Sequence, residues 1–350
     1  MAGQGLLVGA YVIVFDKTGT PLCEFDPESA DRAWRLNEIG EARIVISRSD
    51  AKVVERYCRF GNLVAIQSDV IGLWGGVLLP PIQWDRDTIT LTAQSAERLL
   101  QTRVLPRDMY FRDAPPGEIF ERIIHHIHDK YQSNLRVSNR EWKGGREFEA
   151  HLEDAYERVQ ELSENTGQDW WIEPFITENG QLIFKAHWFI KRGTNRSGEV
   201  MLEEGYNCAD DLNYREEGTL VTGAYCVGKG DDWRGRPVGH SVDDELSGLY
   251  GLWERTETQS DVENRAKLTE AAEDIVEKEG EPERVLALSC INQNDLWKRF
   301  DVGDTLGISL VTMGFGKTGE VGFSGKVRVI SKELDESQGY MPLAVKVKER

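Results

Sequence analysis

The chain has 350 residues, 40% hydrophobic and 29% charged, with a formal net charge of -18. That length calls for two or three domains, each able to bury a core. The acidic surplus argues against general nucleic-acid binding, which needs a basic surface, and no apolar run approaches the roughly 20 residues that span a bilayer.

Cys23, Cys58, Cys208, Cys226 and Cys290 are odd in number, scattered, and contain no C-x-x-C pair. They are expected to be neither a disulfide framework nor a zinc site, but reduced residues that pack as small apolar groups. The N-terminal MAGQGLLVGAYVIVF has no basic leader region and alternates like a strand rather than a signal peptide. Folding in a cytoplasm is the expectation.

In chain order, residues 8–15 form a candidate strand. It ends at Asp16-Lys17-Thr18-Gly19-Thr20, a hairpin-type turn, with residues 22–25 returning. Residues 29–39 read as either a short helix or an irregular strand, with Trp34 and Leu36 inward. Ile44 and Ile46 share one face of a strand over 42–47. Val53, Val54 and Tyr57 have helix-like spacing. After the turn at Gly61-Asn62 come strands over 63–67 and 71–79. The glycines of Trp74-Gly75-Gly76 predict a bulge or a close backbone approach. Pro80-Pro81 is expected to break the ladder before a β-rich stretch over 88–92. Roughly seven short strands at this spacing predict a barrel or sandwich.

The pattern then changes. Pro115-Pro116 precedes a helix over 117–130, with Ile119, Phe120, Ile123, Ile124 and Ile127 at helical spacing. A second helix is expected over 148–166, stopped by Gly167. A hairpin follows over 169–175 and 182–188. Strands resume over 212–216 and 220–227, then a Gly-, Asp- and Arg-rich loop over 228–247. A strand over 249–257, an amphipathic helix over 260–278 and further strands over 284–348 complete the chain. The expected domains are a first β-barrel over 1–105, an inserted α+β domain over 106–199, and a second β-barrel over 200–350. The fold class is mainly β with an α+β insertion.

The two β-regions look like copies. RIVIS ends at Ser47 and VLALS at Ser289. Gly61-Asn62-Leu63-Val64-Ala65-Ile66 matches Gly303-Asp304-Thr305-Leu306-Gly307-Ile308, and both pairs are offset by 242 positions. The links carry Tyr57 and Phe60 in one copy, Trp297 and Phe300 in the other. Trp74-Gly75-Gly76-Val77 resembles Phe323-Ser324-Gly325-Lys326-Val327, and each is followed by two more strands. Two units cannot form a solenoid, but two like barrels per chain suit a closed ring.

Over nearly its whole length, in the order barrel, α+β insertion, barrel, the chain resembles the baseplate hub proteins of bacteriophage tails and contractile injection systems. The residues that carry the likeness are 61–66, Trp74 to Val77, 95–100 and 300–308; their motifs are short and degenerate. The resemblance implies two tail-tube-like barrels per chain and a homotrimer that closes a pseudo-sixfold ring at the tail tip. It implies contacts with the tail tube or distal tail protein, with the tape-measure protein in the lumen, and with a spike, fibre or lysin protein. A virion protein assembled in the host cytoplasm, acting in host attachment and DNA ejection, is the corresponding expectation. No membrane anchor and no sequence-specific nucleic-acid binding are expected.

The chemical motifs are weak. Gly314-Phe315-Gly316-Lys317-Thr318-Gly319 resembles a phosphate loop, but Val311 stands where the pattern needs glycine and strand follows instead of helix. A hairpin loop is the better reading, with Lys317 toward a ring lumen or a partner subunit. His125 and His128 share a helix face without a recognisable third ligand. Asp231-Asp232 and Asp243-Asp244-Glu245 could serve a carboxylate-dependent cell-wall hydrolase in the 228–247 loop, one alternative function. The other is a carbohydrate-binding module using Trp170, Trp171 and Trp188. Of Trp170-Trp171, strand alternation predicts one ring in the core and one exposed. Trp74, Trp171 and Lys317 are the interface candidates. No catalytic, cofactor or metal residue is assigned.

Overall fold

The computed structural model describes residues 10–50, 55–131, 134–209, 213–230, 234–259, 262–281, 283–311, 322–334 and 340–348. The first region is all strand: β1 (Ala10–Phe15), β2 (Pro21–Phe25), β3 (Ser29–Arg35), β4 (Glu41–Ser47), β5 (Leu63–Ser68), β6 (Gly72–Trp84) and β7 (Thr88–Ser95). In β4 every second side chain is buried, the period of a strand with one face on the core. Then come α1 (Arg98–Gln101), β8 (Tyr110–Ala114), α2 (Pro116–Tyr131), β9 (Leu135–Arg140), β10 (Arg146–Glu149), α3 (Ala155–Thr166), β11 (Asp169–Ile176) and β12 (Leu182–Phe189). The rest is β13 (Met201–Glu203), β14 (Asn213–Glu217), β15 (Gly223–Val227), β16 (Val238–Val242), α4 (Asp244–Tyr250), β17 (Glu254–Thr258), α5 (Arg265–Glu279), β18 (Glu283–Ile291), β19 (Thr305–Leu310), β20 (Phe323–Leu334) and β21 (Tyr340–Lys348).

The chain is mainly β with an α+β insertion, as expected. It divides into two compact units, Met1–Leu212 with Ala287–Arg350, and Asn213–Leu286. In the first unit the strand order is β18-β21-β20-β3-β4-β7-β6-β5-β1-β2, with β19 on β20 and β13 on β19. Among the described residues no sheet closes on itself. The expected barrels are therefore stretches of one open sheet. The reason lies in β20. Its first half pairs with β19, and its last residues, beyond a register shift after Val329, pair with β3 of the other region.

The repeat is visible in this order. β4-β7-β6-β5 and β18-β21-β20-β19 are the same succession. In the first copy the Gly61 N–H donates to the Leu78 carbonyl and the Leu78 N–H to Asn62; in the second, Gly303 donates to Val329 and Val329 to Asp304. The register corrects one detail of the sequence match. Ile66 pairs with Trp74 and Ile308 with Gly325, so Trp74 corresponds to Gly325 and Val77 to Arg328. The links differ too: Phe60 is 53% exposed whereas Phe300 is buried, and the 242 offset places Phe300 opposite Cys58, also buried.

Several local expectations change. Residues 29–35 are strand, with Trp34 and Leu36 buried as expected. β6 runs through Pro80-Pro81, because the ladder shifts register between Leu79 and Gln83, where missing N–H donors are tolerated. The shift lies there and not at Gly75-Gly76, which serve close approach: a Cβ on Gly76 would stand 2.0 Å from the Gln94 carbonyl oxygen. The helix expected from 148 starts at Ala155, because residues 146–149 pair with β8. Asp154 caps it, accepting the N–H groups of Tyr156 and Glu157. Val53 and Val54 lie outside the described residues.

One cluster of buried side chains joins Phe15, Leu63, Ala65 and Val77 to Ile119, Phe120, Ile123, Trp170, Phe184 and Trp188 of the insertion. Burying a Val, Leu, Ile or Phe side chain in this way contributes about 1.5–3 kcal/mol. The second unit has its own cluster, in which Leu268, Ala272 and Val276 of α5 pack on Val221, Ala224 and Cys226. The sheet there is β16-β15-β17. The expected 228–247 loop thus contains a strand and the start of α4, and the strand expected from 249 begins at Glu254.

Candidate functional site

Three stretches of the first unit meet at Asp169, the first residue of β11. Its side chain is 5% exposed. Oδ2 accepts the Arg192 backbone N–H at 2.7 Å and Nη2 of Arg328, while Oδ1 accepts Nδ2 of Asn37 at 3.2 Å. Asn37 follows β3 at φ 59°, a conformation Asn tolerates better than most residues. Its Oδ1 takes the Trp170 N–H at 2.8 Å. Arg328 on β20 also donates to the carbonyls of Gly303 at 3.1 Å and Arg192 at 2.9 Å. One buried carboxylate thus ties the first β-region, the insertion and the second β-region together.

The charges continue outward. Arg192 donates to Asp301 at 2.8 Å and lies over the Trp171 ring at 4.2 Å. Lys332 approaches the same carboxylate at 2.7 Å and lies 4.9 Å from the Trp34 ring centre. Partial burial acts to raise the pKa of Asp301, whose side chain is about half exposed, but Lys332 and Arg192 outweigh it and hold this carboxyl well below the usual range. Asp304 accepts the Thr194 N–H at 2.7 Å, the Asp301 N–H at 2.9 Å and Nε of Arg196 at 3.0 Å. Asp304 is the counterpart of Asn62, whose side chain instead donates to the carbonyls of Arg56 and Tyr57. An acid in place of Asn62 lets the second copy hold the linker at 194–196.

A small cleft lies beside this network, lined by Trp34, Trp74, Glu97, Trp171, Ile172 and Pro174 among others. It has room for about one water molecule, about 10 Å³. Trp74 is 1% exposed, with its indole N–H on the Ala33 carbonyl at 3.0 Å. Glu97 is 3% exposed and accepts the Ile172 N–H at 3.2 Å. Burial pushes its carboxyl up to about 7, against the opposing effect of hydrogen bonds from Ser95 and the backbone and of the Arg192 charge. A cleft this small holds no substrate; a raised carboxyl pKa here reflects packing.

The structure thus brings together two of the three interface candidates, Trp74 and Trp171, but places them inside the chain. Trp171 is 9% exposed and Trp170 is fully buried, so the expected exposed ring of that pair is absent. Buried Trp170, Trp171 and Trp188 also leave no ring face for a sugar. The reason is Arg192, which covers Trp171 from a segment the strand pattern does not contain. Lys317, the whole 314–319 loop, and Asp231-Asp232 lie outside the described residues. Asp243 caps α4, accepting the Leu246 N–H at 2.8 Å. His125 faces Glu121 at 3.5 Å and His128 lies against Arg136 at 2.6 Å. Among the described residues no three His, Cys, Asp or Glu side chains converge as metal ligands. Sequence reasoning missed Asp169, Arg192, Asp301, Asp304 and Arg328. The exchange of Asn62 for Asp304 between the copies was the available signal.

No protein-family model matches the sequence, and no curated protein is similar to it. Solved structures are similar in fold over nearly the whole chain. The 43 kDa tail protein of prophage MuSo2 from Shewanella oneidensis shares 10% identity, with 97% of this chain and 98% of that one covered, at a TM-score of 0.62. A tail protein from Neisseria meningitidis gives 12%, 97%, 96% and 0.58. The prophage tail protein gp18 from Listeria monocytogenes gives 13%, 97%, 95% and 0.56. The chain has the fold of phage tail proteins, as the resemblance implied.

Proposed function

We propose that the chain is a structural, non-enzymatic protein of a phage-type tail tip, the hub that closes the distal end of the tail tube. The observation that carries this reading is the internal duplication. Two β-modules with the same strand succession stand in one chain, whose fold over nearly its full length is that of phage tail proteins. Three copies then set six like modules around an axis, and closed symmetry leaves a central pore. The same reading divides the chain into modules over 1–105 and 200–350 with an insertion over 106–199. It makes the tail tube or distal tail protein, the tape-measure protein and a spike, fibre or lysin the partners, with assembly in the host cytoplasm and residence in the virion.

Native mass measurement and electron microscopy of the purified chain, alone and with its tail-tube protein, test the reading. Expected are a trimer and a ring of six lobes around a pore. A chain that stays monomeric at micromolar concentration with the tube protein present overturns it. Hydrolysis of purified peptidoglycan that is lost in Asp244→Ala would overturn its non-enzymatic part.

A further inference from the structure

Cys208 and Cys290 face each other across a short antiparallel bridge. The Ala209 N–H donates to the Ser289 carbonyl at 2.9 Å, and the Ile291 N–H donates to the Asn207 carbonyl at 2.8 Å. Hydrogen bonds on both sides and none within the pair mark a non-hydrogen-bonded position, where Cα atoms lie about 4.5 Å apart and side chains share a face. That spacing falls within the range a disulfide spans. Both residues are thiols here, 2% and 0% exposed. Their places in the chain add a second observation. They stand on either side of residues 213–286, the whole of the second compact unit.

We propose that Cys208 and Cys290 are a redox-closed staple, left open in reducing surroundings and joined on oxidation, clamping the segment around Cys208 to β18 on either side of residues 213–286 in the sequence. A small-molecule disulfide such as oxidised glutathione supplies the oxidant. One thiolate attacks it, releasing one glutathione thiolate and leaving a mixed disulfide. The second cysteine thiolate attacks the protein sulfur of that bond, forming Sγ–Sγ and releasing the second glutathione thiolate. The protein loses two electrons, which reduce the reagent to two glutathione thiolates, and the two thiol protons end on them. Burial, and then the neighbouring Cys208, push the Cys290 thiol up, so thiolate is scarce while the strands stay paired. Closure therefore proceeds through local opening, and the closed bond is shielded from reductant once the strands re-form.

The test incubates the full chain with oxidised glutathione in urea below its unfolding midpoint, alkylates it, and maps peptides without reduction. The expected result is a Cys208–Cys290 linked peptide, with three of the five thiols still alkylated. The apparent Tm should rise by about 5–10 °C, because the bond closes a long loop, and dithiothreitol should reverse the rise. Cys208→Ser should lose both the link and the rise. Alkylation of all five cysteines after oxidation, a link between other cysteines, or a linked chain with an unchanged or lower Tm overturns the proposal.

Discussion

At the scale of single residues, the first unit is held at a few buried charges whose value lies in being paired. Asp169 is the clearest case. A buried ion pair adds little net stability over an apolar substitute, but removing one partner strands the other in a low dielectric. Asp169→Asn leaves Arg328 with two carbonyls and no counter-charge, and should cost about 3–5 kcal/mol, read from the urea transition of the first unit. Asn37→Ala, which removes a hydrogen bond from a neutral amide to the same carboxylate, should cost about 1–3 kcal/mol. Glu97 acts in the opposite sense. Its folded pKa of about 7 stands above the ordinary 4.5, so the folded state holds its proton longer than the unfolded state. Stability from this group is complete below about pH 4.5 and is lost as pH rises through about 7. Relative to Glu97→Gln, the wild-type chain should lose about 3 kcal/mol between pH 4 and pH 8. Urea midpoints across that range, with equal slopes in the two proteins, would rule this out.

At the scale of elements, the duplicated turn gives a paired comparison. Gly61 and Gly303 hold the same two-hydrogen-bond turn at φ of 81° and 96°. A methyl on Gly61 meets nothing within 4 Å, whereas one on Gly303 would stand 2.9 Å from the Arg192 carbonyl oxygen. Gly61→Ala should therefore cost only the left-handed backbone strain, about 1–2 kcal/mol, and Gly303→Ala measurably more, read as the difference in chemical-denaturation midpoints. The elements themselves were largely legible. The 3.6-residue spacing of Ile119, Phe120, Ile123 and Ile127 placed α2, and the offset of 242 placed two like hairpins. What misled was local ambiguity. Phe148 fits the apolar face of a helix as well as a strand, and only pairing with β8 makes it strand. Pro80-Pro81 reads as a stop, and only the register shift in β6 lets the strand pass.

At the scale of the whole molecule, two separate clusters of buried side chains predict unfolding that is not two-state. Calorimetry should give a van't Hoff enthalpy below the calorimetric enthalpy, with more than one component; a ratio of one would contradict it. The sequence alone determined the composition class, the mainly β character, the α+β insertion and the repeat, because alternation, helical spacing and turn glycines are local and recur at fixed intervals. Tertiary structure alone decided that β3 joins β20 in one open sheet, that Trp74 and Trp171 are covered, and that Asp169 meets Arg328 across 159 positions. Those outcomes depend on which strand edge and which charge come together in space. A side chain's neighbours in the sequence carry no record of a partner that reaches it only after the chain has folded.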